Sequence, residues 1–352
     1  MDFQPLLLQC RPGFEGDCAA EITELAAAHG VGGYCRTQPN QGYVLFQPQQ
    51  ADGATLLSEL PFARLVFTRQ WFQVLAELRD LPEADRAGPI AAAVRAQLPR
   101  IGGLWLEYPD TNEGKSLSGF CRKFEPALQR ALDAAGVRRA DGGPRLHLFL
   151  LDSRHLFIGA APPDNSAPWP MGIPRLKMPA QAPSRSTLKL DEALQIFVPK
   201  AAQAKRLAPG MRAVDLGASP GGWTWQLARR GLLVTAIDNG PMAESVMATG
   251  LVEHLRADGF VYRPPRPVDW LVCDMVENPL RVAALVGDWL AAGLCREAVF
   301  NLKLPMKKRY QAVKDCLDGI RRRLEQAGLR YELQCKQLYH DREEVTGHAR
   351  RL

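Results

Sequence analysis

Seven of the chain's 27 prolines fall within residues 162–186, PPDNSAPWPMGIPRLKMPAQAPSRS. Proline fixes φ, lacks an amide hydrogen and clashes with a preceding helical turn, so this density forbids a helix or a central strand. The stretch reads as a semi-rigid spacer. It divides the 352 residues near position 175. A chain of this length holds two or three domains, and no internal repeat or low-complexity tract is visible on either side.

The two sides differ in pattern. Before the prolines, strands and helices are mixed. PLLLQC and GYVLFQP are strand-like, and RLVFTRQWFQVLAEL predicts a long strand. EGDCAAEITELAAAHG is an amphipathic helix stopped by Gly30, and SLSGFCRKFEPALQRALDAAG is another with a glycine stop. PRLHLFLLDSRHLFIGAA predicts a hairpin around Asp152, Ser153 and Arg154. This half is α+β, with no nucleotide loop and no catalytic cluster. After the prolines, strand and helix alternate: RAVDLGA, GWTWQLARRG, LVTAIDN, VDWLVCDM, PLRVAALVGDWLAAG, EAVFNLKL and KRYQAVKDCLDGIRRRLEQAG. RYELQCKQLYH and EEVTGHARR close the sequence as strands. The pattern predicts a Rossmann-like, doubly wound α/β sheet with a C-terminal antiparallel hairpin.

Composition narrows the class. Hydrophobic residues make up 46% and charged residues 23%, values of a soluble globular protein. No apolar run approaches the ~20 residues that span a bilayer, and the N-terminus lacks the basic region of a signal peptide. Eight scattered cysteines without a CxxC fit a reduced, cytoplasmic protein without a metal site. Residues 301–352 carry 13 Lys/Arg against 7 Asp/Glu, an excess equal to the whole net charge of +6. That basic segment suits phosphates, and equally a solvated helix face.

AVDLGASPGGW is a strand, a glycine loop and a helix start. Glycines let the backbone turn sharply and approach a ligand closely. The spacing is not GxGxxG, so a dinucleotide fingerprint, and with it a dehydrogenase, fails. The loop, with Gly217 in it, has little positive charge and the acidic Asp215 beside it. It suits a cationic, phosphate-free nucleoside, of which S-adenosylmethionine is one. Asp238 ends the second strand, where a carboxylate accepts from both ribose hydroxyls. Asp258, in LRADGFVY, comes next at a distance suited to the adenine end.

AVFNLKLPMKKRY poses a different problem. Ala298, Val299, Phe300 and Leu302 predict a buried strand, yet Lys303 ends the apolar run. An ammonium in such a place is costly unless paired or neutralised.

Five segments together resemble a known family. LKLDEAL (188–194), VDLGASPGGW (214–223), WLVCDM (270–275), FNLKLP (300–305) and REEVTGHARR (342–351) are similar, in order, to the motifs of FtsJ-like RNA ribose 2′-O-methyltransferases. The resemblance covers roughly residues 184–352. It implies a Lys-Asp-Lys-Glu tetrad at Lys189, Asp274, Lys303 and Glu344, with the adjacent Glu343 as the competing register. It implies S-adenosylmethionine as cofactor, held by Ser186 and by Ser219, Pro220, Gly221 and Gly222, with Asp238, Asp258 and Asp274. Lys303 matches the family's proton acceptor, the base that takes the 2′-hydroxyl proton for in-line attack on the methyl sulfonium. Apolar burial and a second cation, Lys189, are expected to lower its pKa by ~3 units, roughly 4 kcal/mol.

CRPGFEGDCAAEI and SRSTLKLDEAL extend the likeness over the whole chain, toward bacterial members that methylate a cytidine ribose in 23S rRNA. This implies a ferredoxin-like subdomain at 1–65, a THUMP RNA-binding domain at 66–161, the spacer at 162–184 and the methyltransferase domain at 185–352. The implied partner is 23S rRNA or a large-subunit assembly intermediate, with no membrane and a monomer favoured. Two other readings compete. One is a non-catalytic RNA-binding protein with a vestigial methylase fold, although all four tetrad residues are present. The other is a base or protein N-methyltransferase, but DMVENPL lacks the second proline and the aromatic expected after that strand.

Overall fold

The computed structural model describes residues 3–49 and 53–352. The chain forms two compact units, divided between Pro174 and Arg175.

In the first unit the strands are β1 (Leu6–Cys10), β2 (Gly33–Arg36), β3 (Tyr43–Pro48), β4 (Thr68–Leu78), β5 (Arg100–Ile101), β6 (Gly103–Glu107), β7 (Arg138–Arg139), β8 (Arg145–Leu150) and β9 (Leu156–Ala161). The helices are α1 (Glu15–Ala28), α2 (Gly53–Glu59), α3 (Ala87–Gln97), α4 (Asn112–Ser116) and α5 (Ser118–Ala134). A mixed sheet runs β2-β3-β1-β4-β9-β8-β6, and β5 pairs with β7 apart from it. β4 makes this one sheet instead of two, because it pairs with β1 on one side and β9 on the other. Several buried carboxylates find partners. Glu21, 1% exposed, accepts from the amides of Val66 and Phe67. His147 and Glu107, both fully buried, meet at 2.6 Å under the ring of Phe72.

Residues 162–173 are tied to this unit. Proline gives a segment carbonyls without amide donors, so donors must come from elsewhere. Here Trp71 Nε1 donates to the Asn165 carbonyl, and Gln70 Nε2 and Arg145 donate to that of Ala167.

In the second unit the strands are β10 (Arg212–Leu216), β11 (Leu233–Ile237), β12 (Val252–Leu255), β13 (Val268–Cys273), β14 (Cys295–Lys303), β15 (Tyr331–Lys336) and β16 (Glu344–Arg351). The helices are α6 (Thr187–Phe197), α7 (Lys200–Arg206), α8 (Gly222–Ala228), α9 (Glu244–Met247), α10 (Pro279–Ala291) and α11 (Arg309–Gln326). The order is β12-β11-β10-β13-β14-β16-β15. β10 to β14 are parallel to one another, and β16 is antiparallel to both β14 and β15. This is the doubly wound sheet with an antiparallel hairpin that the sequence pattern predicts. The short β12, VEHL, escapes that pattern because its residues are half-exposed and carry little hydrophobic periodicity.

Parallel strands covered on both faces need continuous apolar runs, and β10, β13 and β14 supply them. Trp270, Val272 and Val299 pack with Leu190, Leu194, Trp223 and Leu227 in one core. α10 starts cleanly because Asn278 caps the Leu280 amide and Pro279 takes the first helical position. The chain order reverses between β10 and β13. Such a reversal opens a crevice beyond the carboxyl ends of the two strands, the place where open α/β sheets bind ligands.

Candidate active site

The crevice is lined by residues at the carboxyl ends of the strands. Leu216 is in register with Ile237 on one side and with Cys273 on the other. The residues just past these three, Gly217, Asp238 and Asp274, therefore stand side by side. On the far side, Cys273 pairs with Phe300, and Lys303 pairs with Glu344 across the antiparallel step.

Four of the expected residues meet. Glu344 binds Lys189 through one carboxylate oxygen and Lys303 through the other. Asp274 lies 3.3 Å from the Lys189 ammonium and 3.4 Å from that of Lys303. Glu344, not Glu343, faces both lysines; Glu343 is exposed and pairs with Arg309 at 3.0 Å. Lys189 reaches the cluster because Glu192, one turn further along α6, clamps the β15–β16 connection. Its carboxylate accepts from the amides of Tyr339 at 2.8 Å and His340 at 3.0 Å.

The electrostatics are those of paired charges. Burial opposes the charge of Lys189, but Asp274 and Glu344 outweigh it and hold its pKa above the ordinary value. Burial likewise opposes ionisation of Glu344, and the two lysines outweigh it and hold that carboxyl below its usual range. The apolar setting expected for Lys303 is not what surrounds it. Its side chain is 27% exposed and lies between two carboxylates. The strand end where it stands coincides with the antiparallel step, and that step brings Glu344 alongside.

The other expected residues form the second half of the crevice. Gly217 has φ +78°, and a Cβ there would come within 2.7 Å of Met275 Cγ. Gly221 has φ +113° and opens α8. Ser186 closes on that helix start, so that a Cβ on Gly222 would collide with its hydroxyl. Asp238 accepts from the amides of Ser219 at 3.0 Å and Gly240 at 2.7 Å. Asp258 is exposed, and its carboxylate accepts from the Phe260 amide at 2.8 Å, inside its own turn. The glycine after it approaches Met275 Sδ, the residue that also flanks Gly217. Above the tetrad, the loops after β13 and β14 present Val276 and Met306, which are 87% and 92% exposed. Lys307 and Lys308 come next in the chain, also exposed.

Three family models match in succession: the RlmM ferredoxin-like domain over residues 3–72, the N-terminal region of ribosomal RNA large subunit methyltransferase M over 85–161, and FtsJ-like methyltransferase over 182–300. The ribosomal RNA large subunit methyltransferase M of Azotobacter vinelandii is 57% identical over 349 residues, covering 99% of this chain and 98% of its own. That of Cellvibrio japonicus is 54% identical over 346 residues, covering 98% and 99%. The chain belongs to the ribosomal RNA large subunit methyltransferase M family. As an FtsJ-like methyltransferase it uses S-adenosylmethionine.

The crevice of this family member fits such a cofactor. Asp215 is 1% exposed, and its Oδ2 accepts from the Thr224 hydroxyl at 2.6 Å. Its Oδ1 is buried without a hydrogen-bond partner beneath the glycine loop. Burial pushes this carboxyl up to about 7, and the nearby Asp274 and Asp238 add to the rise. An anion so poorly compensated favours a cationic ligand. Asp238 has lone pairs left for hydroxyls after its two amide bonds.

Sequence reasoning missed the residues that hold the tetrad from below. Asn301 is fully buried, and its amide nitrogen donates to Asp274 at 2.8 Å. Its signal was a lone polar residue inside the run AVFNLKL. Thr346 and Asp341, both buried, carried no such mark.

Proposed function

We propose that this chain transfers a methyl group from S-adenosylmethionine to the ribose 2′-hydroxyl of a cytidine in 23S rRNA. The observation that carries the reading is Glu344 bridging Lys189 and Lys303, with Asp274 against both, at the carboxyl edge of the sheet. The names of the relatives at 57% and 54% identity support large-subunit rRNA as the substrate.

S-adenosylmethionine supplies an electrophilic methyl group on a cationic sulfur. The chain's own residues do the rest. Asp238 takes the cofactor ribose, Asp258 its adenine end, and Ser186 with Ser219, Pro220, Gly221 and Gly222 form the wall around it. Lys303 takes the proton of the 2′-hydroxyl. Two ammonium groups on one carboxylate disfavour each other's charge. Lys189, held charged by Asp274 and Glu344, stays an ammonium, and Lys303 must be the free amine when it takes the proton. Asp274 and Glu344 fix where the lysines point, and positioning of this kind is a large part of the rate advantage. Val276 and Met306 offer apolar contact to an unstacked base, and Lys307 and Lys308 offer charge to its phosphates. Residues 66–161, as a THUMP domain, supply further RNA affinity. The working form is a cytoplasmic monomer acting on rRNA or an assembly intermediate.

Mass-spectrometric mapping of ribose methylation in rRNA tests this, comparing cells with and without the protein. One cytidine 2′-O-methyl group should be lost and then restored by the purified protein with labelled S-adenosylmethionine. A label found on a base, or no change in the rRNA, overturns the reading.

A further inference from the structure

Beneath the tetrad runs a chain of buried polar side chains with a forced direction. Residues two apart on a strand share a face. Asn301 lies two residues before Lys303, and Thr346 two after Glu344. Asn301 and Thr346 are register partners across β14 and β16, as Lys303 and Glu344 are. The Thr346 hydroxyl lies 2.7 Å from Asn301 Oδ1, and 3.0 and 3.1 Å from the two carboxyl oxygens of Asp341. Asp341 is 1% exposed, and its Oδ2 also accepts from the Leu338 amide at 2.9 Å.

The protons along this chain can be assigned in turn. Asp274 turns its two oxygens toward the nitrogens of Lys189 and Lys303, which donate to it, so it accepts. Asn301 must then turn its NH2 toward Asp274, which leaves its carbonyl oxygen toward Thr346. That oxygen only accepts, so the single hydroxyl proton of Thr346 goes to it. The Thr346 oxygen is left facing Asp341 with lone pairs. Two such oxygens 3.0 Å apart need a hydrogen between them, and Asp341 is the group that can carry it.

We propose that Asp341 is held as a neutral carboxylic acid, and that Asp341, Thr346 and Asn301 form a one-way hydrogen-bond chain orienting Asp274 toward Lys189 and Lys303. The surroundings agree with this. Burial raises the pKa of Asp341 well above the ordinary value, Glu344 and Glu192 push the same way, and the Leu338 amide and Lys189 oppose. All three members are positioning residues: Asn301 bonds Asp274, and Thr346 and Asp341 act on it through Asn301. The inference rests on the proposed function only for its activity readout.

The test uses the full chain and five variants: Asp341→Asn, Asp341→Ala, Thr346→Ser, Thr346→Val and Asn301→Ala. Infrared difference spectra between wild type and Asp341→Asn should reveal a protonated-carboxyl band at neutral pH. An asparagine at this position donates through its amide and still accepts from Leu338. Asp341→Asn should therefore keep single-turnover methyl transfer within about threefold, with an unchanged pH profile. Thr346→Ser keeps the hydroxyl and should do the same. Asp341→Ala, Thr346→Val and Asn301→Ala should each lose about tenfold or more in turnover, the effect of an unmatched buried polar group. S-adenosylmethionine affinity should be unchanged throughout. Absence of the infrared band overturns the proposal, and so does damage in Asp341→Asn equal to that in Asp341→Ala. If the alanine variants do not fold, the band and the Asp341→Asn and Thr346→Ser rates still decide. If wild type fails to methylate rRNA, the functional reading falls, and the infrared band still reports on Asp341.

Discussion

Lys303 and Glu344 are register partners on adjacent antiparallel strands. The backbone ladder, more than side-chain reach, sets where ammonium and carboxylate meet. Residues paired in this way keep their separation as the sheet flexes, so the Glu344 carboxylate travels with the Lys303 amine.

If Lys303 is the base, Lys303→Ala should lower methyl transfer by about 10²–10⁴-fold while calorimetric affinity for S-adenosylmethionine stays near wild type. The loss belongs in turnover, because the interaction is made chiefly in the transition state. Lys303→Arg should fail as well, since a guanidinium stays protonated. Substantial turnover by the arginine variant would assign the lysine a purely electrostatic role.

The two adjacent glutamates should behave differently. Glu344→Gln removes the charge that holds both lysines and should cost at least about tenfold in turnover. Glu343→Gln removes an exposed pair with Arg309, worth ~0–1 kcal/mol, and should leave turnover within about twofold. Equal effects in a labelled-methyl assay would argue against the bridge.

Asp215 predicts a stability that falls as pH rises. Its folded pKa is raised from 3.8 to about 7. Between those values the folded chain keeps a proton that the unfolded chain has lost, so stability declines across that window and the cost is complete above 7. Asp215→Asn should relieve up to about 4 kcal/mol at alkaline pH and almost nothing at pH ~4. Denaturant melts of the ligand-free protein across pH read this directly. The same variant should bind S-adenosylmethionine about tenfold or more weakly, having lost the anion beneath the glycine loop.

Asp238→Ala should weaken S-adenosylmethionine binding by roughly tenfold to a hundredfold, the worth of charge-assisted hydrogen bonds to two hydroxyls. Calorimetry with the variant checks it, and a wild-type dissociation constant refutes the assignment. Because Asp238 also holds the amides of Ser219 and Gly240, the loop should become more susceptible to proteolysis in the same variant.

Much of the second unit was legible because its central strands β10, β13 and β14 are largely buried and read as apolar runs. The glycine loop and the strand-end acids could be placed from that, since their positions depend only on where each strand stops. The environment of Lys303 was not legible. It depends on β16 inserting beside β14, a pairing across 41 residues that no local pattern encodes. The same non-local step hid Asn301, Thr346 and Asp341, which matter only as cross-strand neighbours. In the first unit, the continuity of one sheet through β4 was equally invisible, because pairing on both edges leaves no trace in a single strand's alternation.

Glu192 anchors α6 to the β15–β16 connection across nearly 150 residues of sequence, 147 to Tyr339 and 148 to His340. Lys189 and Asp274 are themselves 85 residues apart. Every contact of the tetrad is thus long-range, and long loops must close before any of them is rewarded. A refolding chain will regain its core helices and central strands before the tetrad's charges meet. Recovery of methyl transfer is accordingly a late clock for folding of this unit, and a partly folded molecule is silent before it is merely slow.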